Sequence, residues 1–445
     1  MKKISLIILP LAGLAIVFFF VFFNRQEKEI TLDQYLARKA VNLSEGNDLD
    51  KLIEKASDKR LVLLGEASHG THEYYKWRGK ISKRLISEKG FNFILVEGDF
   101  ASLYELNRYV KGIDKDSSSA IDVLSKLDRW PQWMWGNHET AKLAQWLKEH
   151  NKNLPMEKRA GFYGMDVYDE WRSKRVVIDF LKNKDSSLYE KVKELYSCFF
   201  PYEDDSWEYA VAVRKGVVNC SEESQKVVEI IEGNRSLLSD LSEDDYFYLL
   251  QNSYVVKHAE QFYRKSVAGM RSDSWNARVY HMHKSAKRLL ELYGDDSKGI
   301  VWAHNTHIGD SSFTSMIEAN QVNIGQLSRE HLGADNVFLV GFTTYKGTVQ
   351  AGGSWGSRRE VMTIPEAQEN SIEDILYRTG KSSFYLIFDE KDREHEEMMT
   401  PRGNRAVGVV YNPAAEPRQY VPTVVPKRYD ALVFFKETKA LDPIN

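Results

Sequence analysis

Two short stretches of this chain hold the residue types that water-activating chemistry needs. The first is Gly65-Glu66-Ala67-Ser68-His69-Gly70-Thr71-His72-Glu73, followed by Glu97 at the end of the next apolar run. The second is Gly299-Ile300-Val301-Trp302-Ala303-His304-Asn305-Thr306-His307-Ile308-Gly309. Imidazole is the side chain whose ordinary pKa lies nearest neutrality, and a carboxylate beside it fixes the tautomer and raises its basicity. This combination suits a general base that takes a proton from water attacking a carbonyl. His69 is the best candidate base, with Glu66 or Glu97 as its orienting carboxylate. The same residues suit a metal: Glu66, His69, His72, Glu97, His304 and His307 would make a His/carboxylate zinc site with an open position, although no HExxH helix carries them. No G-x-S-x-G elbow occurs, so a serine nucleophile is unsupported; Ser68 is the only serine in the right neighbourhood.

Positioning these groups calls for a parallel sheet. Leu61–Leu64 and Phe91–Val96 are apolar runs separated by about one helix, the pattern of a βαβ unit. As neighbouring strands they would bring Glu66 and Glu97 to one carboxyl edge, where open α/β sheets hold ligands. Ser68 or Thr71 would cap the intervening helix, which stops at Gly90 and carries Arg78. A helix amino end favours negative charge, which suits a developing oxyanion. Ala160–Met165 reads as a strand delivering Asp166, and Gly299–Trp302 as one delivering His304 and His307. Asn336–Phe342, Ser383–Phe388, Ala406–Tyr411 and Asp430–Phe435 read as later strands. Helical periodicity dominates between 169 and 297. His281 and His283, two positions apart on a helix there, cannot share a face and read as ordinary. The expected fold is α/β: a mainly parallel sheet in an α/β/α core, in two parts, 30–168 and 298–445, around an α-helical insertion at 169–297. Trp130, Trp133 and Trp135 form either a buried loop or one wall of a cleft for a bulky, partly apolar substrate. The glycine-rich stretch Gly347–Ser357, with Trp355, reads as a mobile rim.

The segment Arg60–Asp99 resembles the signature of the erythromycin esterase family, bacterial hydrolases that open macrolide lactones, together with relatives of unknown substrate. Glu66, His69, Arg78 and Glu97 fall in the register that family uses for its active site. Residues 161–166 resemble its Gly-x-Asp element, and Trp130–Asn151 a segment in which Glu139 would be a structural carboxylate. Met270–Asn276 is similar to an Arg-rich turn that opens a helix, through Arg271 and Asn276. Residues 299–309 resemble the family's second signature, whose histidines face the first. The resemblance implies a carboxylic ester hydrolase in which metal is not built into the mechanism. On this reading Arg78, and His304 or His307 when protonated, stabilise the oxyanion. Asp166 holds Arg78 or His304, and Asp166, Arg271, Trp133 and Trp355 contribute to substrate binding.

Composition bounds the alternatives. The 445 residues are enough for a large core. A net charge of −3, without a long run of one sign, gives no electrostatic case for nucleic acid. The two cysteines, Cys198 and Cys220, have no metal spacing and are free, structural, or joined in a single bond if the domain is exported. After Met1-Lys2-Lys3, the apolar run Ile4–Phe23 is long enough to span a bilayer core of about 30 Å. It ends without a small-x-small cleavage site, which favours an uncleaved anchor over a cleaved signal. The expected partners are thus a lipid bilayer, through residues 4–23, and a small-molecule ester or lactone. The expected location is the cell membrane, with residues 1–29 as anchor or signal and the catalytic part outside the cytoplasm.

Overall fold

The computed structural model describes residues 30–44, 48–114, 116, 118–269 and 271–444. The apolar run 4–23 lies outside the described residues. Among the described residues no helix is long and apolar enough to cross a membrane.

The strands in chain order are β1 (Val41–Asn42), β2 (Leu61–Leu64), β3 (Phe93–Asp99), β4 (Gly161–Asp166), β5 (Gly299–Trp302), β6 (Val337–Gly352), β7 (Arg359–Ile364), β8 (Ser383–Ile387), β9 (Arg402–Arg405), β10 (Tyr420–Thr423) and β11 (Ala431–Thr438). Nine of them form one sheet in the order β1-β8-β11-β6-β2-β5-β3-β4, with β7 paired to β6. From β11 to β4 every neighbouring pair is parallel. The strands β1, β7 and β8 add antiparallel edges. β9 and β10 pair separately.

The run Leu61-Val62-Leu63-Leu64 shows why such a sheet must be covered twice. Side chains alternate faces along a strand. Val62 and Leu64 pack with Ile81 and Leu85 of the helix His72–Lys89. Leu61 and Leu63 pack with Val279, Met282 and Leu289 of the helix Arg271–Tyr293. Continuous apolar strands are the signature of a sheet sandwiched between helices. A separate apolar cluster, including Val177, Leu188, Tyr196, Val227 and Leu249, holds together helices between Glu170 and Val267. Cys198 and Cys220 are joined in a disulfide within it, Cα to Cα 6.0 Å.

Three expectations need correcting. β2 and β3 are not neighbours, because β5 lies between them, with Gly299 paired to both Leu61 and Phe93. A crossover helix is long enough to skip one strand, so closeness in sequence does not settle adjacency. Gly299 allows the close fit: a Cβ there would stand 2.4 Å from the Phe93 ring. Secondly, residues 347–352 are not loop. β6 continues through them and turns back as β7, placing Trp355 at the hairpin tip. Gly347, at φ 152°, lies where a Cβ would be 2.1 Å from the Thr438 carbonyl, so it serves close packing on β11. Thirdly, the late strand is Arg402–Arg405. Residues 406–411 form only isolated bridges, Val407 with Ser68 and Val410 with Gly352.

Candidate active site

The carboxyl ends of β2, β3, β4 and β5 point the same way, and each delivers a functional side chain. A cleft of about 340 Å³ opens there, with His69, Glu97, Asp166, Arg278, His304 and His307 among its lining residues. Beyond β2 the chain turns tightly enough that Glu66 Oε1 meets His69 Nδ1 at 2.9 Å. The other oxygen, Oε2, accepts from the Arg78 guanidinium at 2.7 Å. Near the end of β3, Glu97 Oε2 accepts from the His304 backbone N–H at 2.9 Å, tying the end of β5 to that of β3. Glu97 Oε1 accepts from Arg278 at 2.8 Å and lies 3.3 Å from His307 Nε2. Asp166, the last residue of β4, accepts from Arg278 Nε at 2.8 Å and from its Nη2 at 2.6 Å. The His307 ring stacks on Trp275, centroids 4.5 Å apart.

Electrostatics sort these groups. Burial lowers the His69 pKa, but Glu97 and the hydrogen-bonded Glu66 outweigh it, so the net shift is upward. Burial opposes the charge on Glu97, yet His307, His69 and Arg278 hold its carboxyl well below the usual range. His304 is pushed far down, by burial and then by the neighbouring His69, which keeps it neutral. Farther along the cleft Asp99 pairs with Arg129 through two 2.5 Å hydrogen bonds. Burial and the nearby Asp169 nevertheless raise Asp99 to about 6.

The site thus gathers His69, Glu66, Glu97, Asp166, His304 and His307, but rearranges other expected roles. Arg78 is fully buried and sandwiched between Tyr75 and Trp302, 4.5 and 4.7 Å from their rings. It braces Glu66 from behind and does not line the cleft. Asp166 accordingly holds neither Arg78 nor His304 but Arg278. Arg271 is exposed at the start of its helix, away from the cleft. Trp133 is a core residue, whereas Trp135 lines the cleft. Trp355 is 58% exposed, lines the cleft and packs on Trp130 at 4.6 Å. His72 turns toward Glu139, 3.7 Å away. Among the described residues no group of three His, Cys, Asp or Glu side chains is arranged to hold a metal ion. The carboxylates of the zinc set are engaged by Arg78 and Arg278 instead.

Arg278 is the residue that sequence reading missed. It lies two helical turns after Arg271, so the helix expected to present an arginine presents a different one. The signal was the shortage of cations for three strand-end carboxylates. Asp99 and Arg129 were also missed; nothing local marks two residues so far apart in the chain as partners.

The sequence matches the erythromycin esterase family over residues 86–438, and the chain belongs to that family. The match includes Glu97, Asp166, Arg278, His304 and His307, and starts after Glu66, His69 and Arg78. The chain is 22% identical over 365 residues to erythromycin esterase type II of Escherichia coli, covering 77% of this chain and 84% of that one. It is also 22% identical over 402 residues to the putative hydrolase YbfO of Bacillus subtilis strain 168, covering 83% and 84%. Among solved structures, a protein from Bacillus cereus aligns with a TM-score of 0.76 at 21% identity, covering 92% of this chain and 98% of that one. A histidine-to-asparagine mutant of the erythromycin esterase EreC, in its open conformation, aligns at 0.63 and 17%, covering 88% and 94%. These structures share the fold.

Proposed function

We propose that this chain hydrolyses a carboxylic ester or lactone, with His69 as general base. The observation that carries the reading is the Glu66–His69 pair at 2.9 Å, with the histidine on the wall of the cleft. Glu66 accepts a hydrogen bond from Nδ1–H, which leaves Nε2 to take a proton from water. The water oxygen bonds to the carbonyl carbon and the carbonyl electrons move onto oxygen. When the intermediate collapses, the C–O bond breaks and the His69 proton passes to the departing alkoxide. The products are an acid and an alcohol, or one hydroxy acid from a lactone. The family match supports ester chemistry, and the aromatic lining, Trp135, Tyr168, Trp275 and Trp355, supports a bulky, partly apolar substrate. To test this, the purified chain is incubated with erythromycin and a panel of simple esters, and mass spectrometry follows the gain of one water. Turnover lost in His69→Ala is expected; turnover retained would remove His69 as base.

A second reading concerns location and with it substrate. The Cys198–Cys220 disulfide fits an oxidising compartment, since cytosolic proteins seldom keep such bonds. With the apolar run 4–23 it supports a membrane-anchored enzyme facing outward, where an ester of an envelope polysaccharide or lipid is within reach. Protease shaving of intact cells tests it: loss of the domain is expected, and full protection would place it inside.

A further inference from the structure

We propose that Tyr168 is a specificity-determining residue of this cleft: its hydroxyl donates a hydrogen bond to a substrate oxygen outside the reacting ester group, so the site selects esters that carry further hydroxyl groups. The proposal rests on the hydrolase reading above and names the substrate feature that the cleft distinguishes.

Tyr168 stands two residues after Asp166, beyond the end of β4, and lines the cleft half-buried. Its ring is held by several neighbours. The Arg278 guanidinium lies over it at 4.9 Å and that of Arg129 at 5.4 Å. Phe262 and Trp355 meet it edge to face, at 5.3 and 6.1 Å. Both guanidiniums are themselves anchored, Arg278 on Glu97 and Asp166, Arg129 on Asp99. The ring thus touches both the arginine beside the catalytic carboxylates and the Asp99–Arg129 pair farther along the cleft.

The ring is fixed, yet nothing holds its hydroxyl. Among the described residues that oxygen has no hydrogen-bond partner. Elsewhere in the chain Tyr104 donates to the Asp244 carbonyl, Tyr109 to Gln145, Tyr209 to Glu260 and Tyr385 to the Asp48 carbonyl. Tyr74, Tyr75, Tyr196 and Tyr411 also lack partners, but they are sealed in apolar clusters where no ligand reaches. The indoles that line the cleft beside Tyr168 have spent their N–H groups: Trp135 donates to the Glu97 carbonyl and Trp275 to the Val322 carbonyl. Burial, with Asp166 and Glu97 nearby, outweighs the two guanidiniums and pushes the Tyr168 hydroxyl up to about 12. It therefore keeps its proton throughout the neutral range and acts as a donor. A donor on a ring already held in place costs little ordering to engage. An aromatic wall alone accepts any apolar ester; a free donor within it separates a hydroxylated substrate from a hydrocarbon of the same shape.

The test uses Tyr168→Phe, which removes one oxygen and keeps the ring with its neighbours. Wild type and variant are compared on two pairs of esters matched in shape: glucose 6-acetate with cyclohexylmethyl acetate, and ethyl gluconate with ethyl hexanoate. In at least one pair the variant is expected to lose about tenfold more kcat/KM on the hydroxylated ester, through a higher KM at nearly constant kcat. The pH midpoint set by His69 should stay where it is. Equal losses within both pairs, or a loss carried by kcat, would make the hydroxyl part of the chemistry or of the fold and overturn the proposal. If the wild-type chain turns over none of these esters, the hydrolase reading fails, and saturation-transfer NMR on the unreacted esters decides the role of Tyr168 separately. Transfer to the hydroxylated esters that weakens in Tyr168→Phe keeps that role; equal transfer in the two proteins ends it.

Discussion

Three carboxylates, Glu66, Glu97 and Asp166, meet only two guanidiniums, Arg78 and Arg278, so the site around His69 carries a net negative charge. That excess raises the basicity of the imidazole, and the proton His69 takes up during catalysis cancels it. A base must start neutral. kcat/KM is therefore expected to rise with pH through a midpoint above the ordinary histidine value of 6.5. Glu66→Gln should move that midpoint down and cost about 10²- to 10⁴-fold in rate, since the ring also loses its orienting partner. A pH–rate profile that does not move in this variant would mean that another group titrates. Protonated His69 also stabilises the fold, because its folded pKa exceeds the unfolded one. That contribution is fully present below pH 6.5 and fades as pH rises through the folded value.

The elements carry different duties. The β6–β7 hairpin places Trp355 on the rim, where its ring packs against Trp130 and Tyr168. An exposed indole at a cleft mouth contributes binding rather than chemistry. Trp355→Ala is expected to raise KM about tenfold for bulky substrates, roughly the effect of losing 1.4 kcal/mol of contact, and to leave kcat on small esters unchanged. Steady-state kinetics on one bulky and one small ester would show it. At the start of the helix Glu170–Lys182, Glu170 is buried, its carboxyl bonded to Ser206. Burial pushes its pKa up to about 8. The folded chain therefore holds a proton that the unfolded chain has released, and stability from this group falls between about pH 4.5 and 8. Glu170→Gln should flatten that fall and raise Tm at the alkaline end. A Tm–pH curve parallel to the wild type would contradict this.

At the scale of the whole molecule, the helices between Glu170 and Val267 form their own apolar cluster, fastened by Cys198–Cys220. The bond closes a segment of 22 residues, worth about 3 kcal/mol on a chain-entropy account. Cys198→Ser is expected to lower the unfolding temperature of this cluster in calorimetry while ester turnover, measured well below that temperature, persists. The active site stands on the sheet and on the helix Arg271–Tyr293. That helix packs on the core and crosses over β4 to bring Arg278 to the cleft. Equal loss of turnover and stability in Cys198→Ser would show that the two parts do not behave separately.

Much of this was legible in the sequence, for local reasons. β2 and β5 run over the residues that their apolar runs suggest, and β4 within one residue of them, because strands buried on both faces are marked by unbroken apolar segments. Glu66 and His69 meet because three residues across a tight turn leave little else for them to do. Tertiary structure decided what depends on the crossovers. Only the return of the chain after β4 inserts β5 between β2 and β3, and so sets His304 beside Glu97 rather than across an empty gap. Only packing turns Arg78 inward between Tyr75 and Trp302 and gives its expected place in the cleft to Arg278. Residue type and spacing determine which groups can react. Which of them share a cleft is decided by strand order and helix docking, long-range choices driven by burial of the whole core and invisible to any short window of sequence.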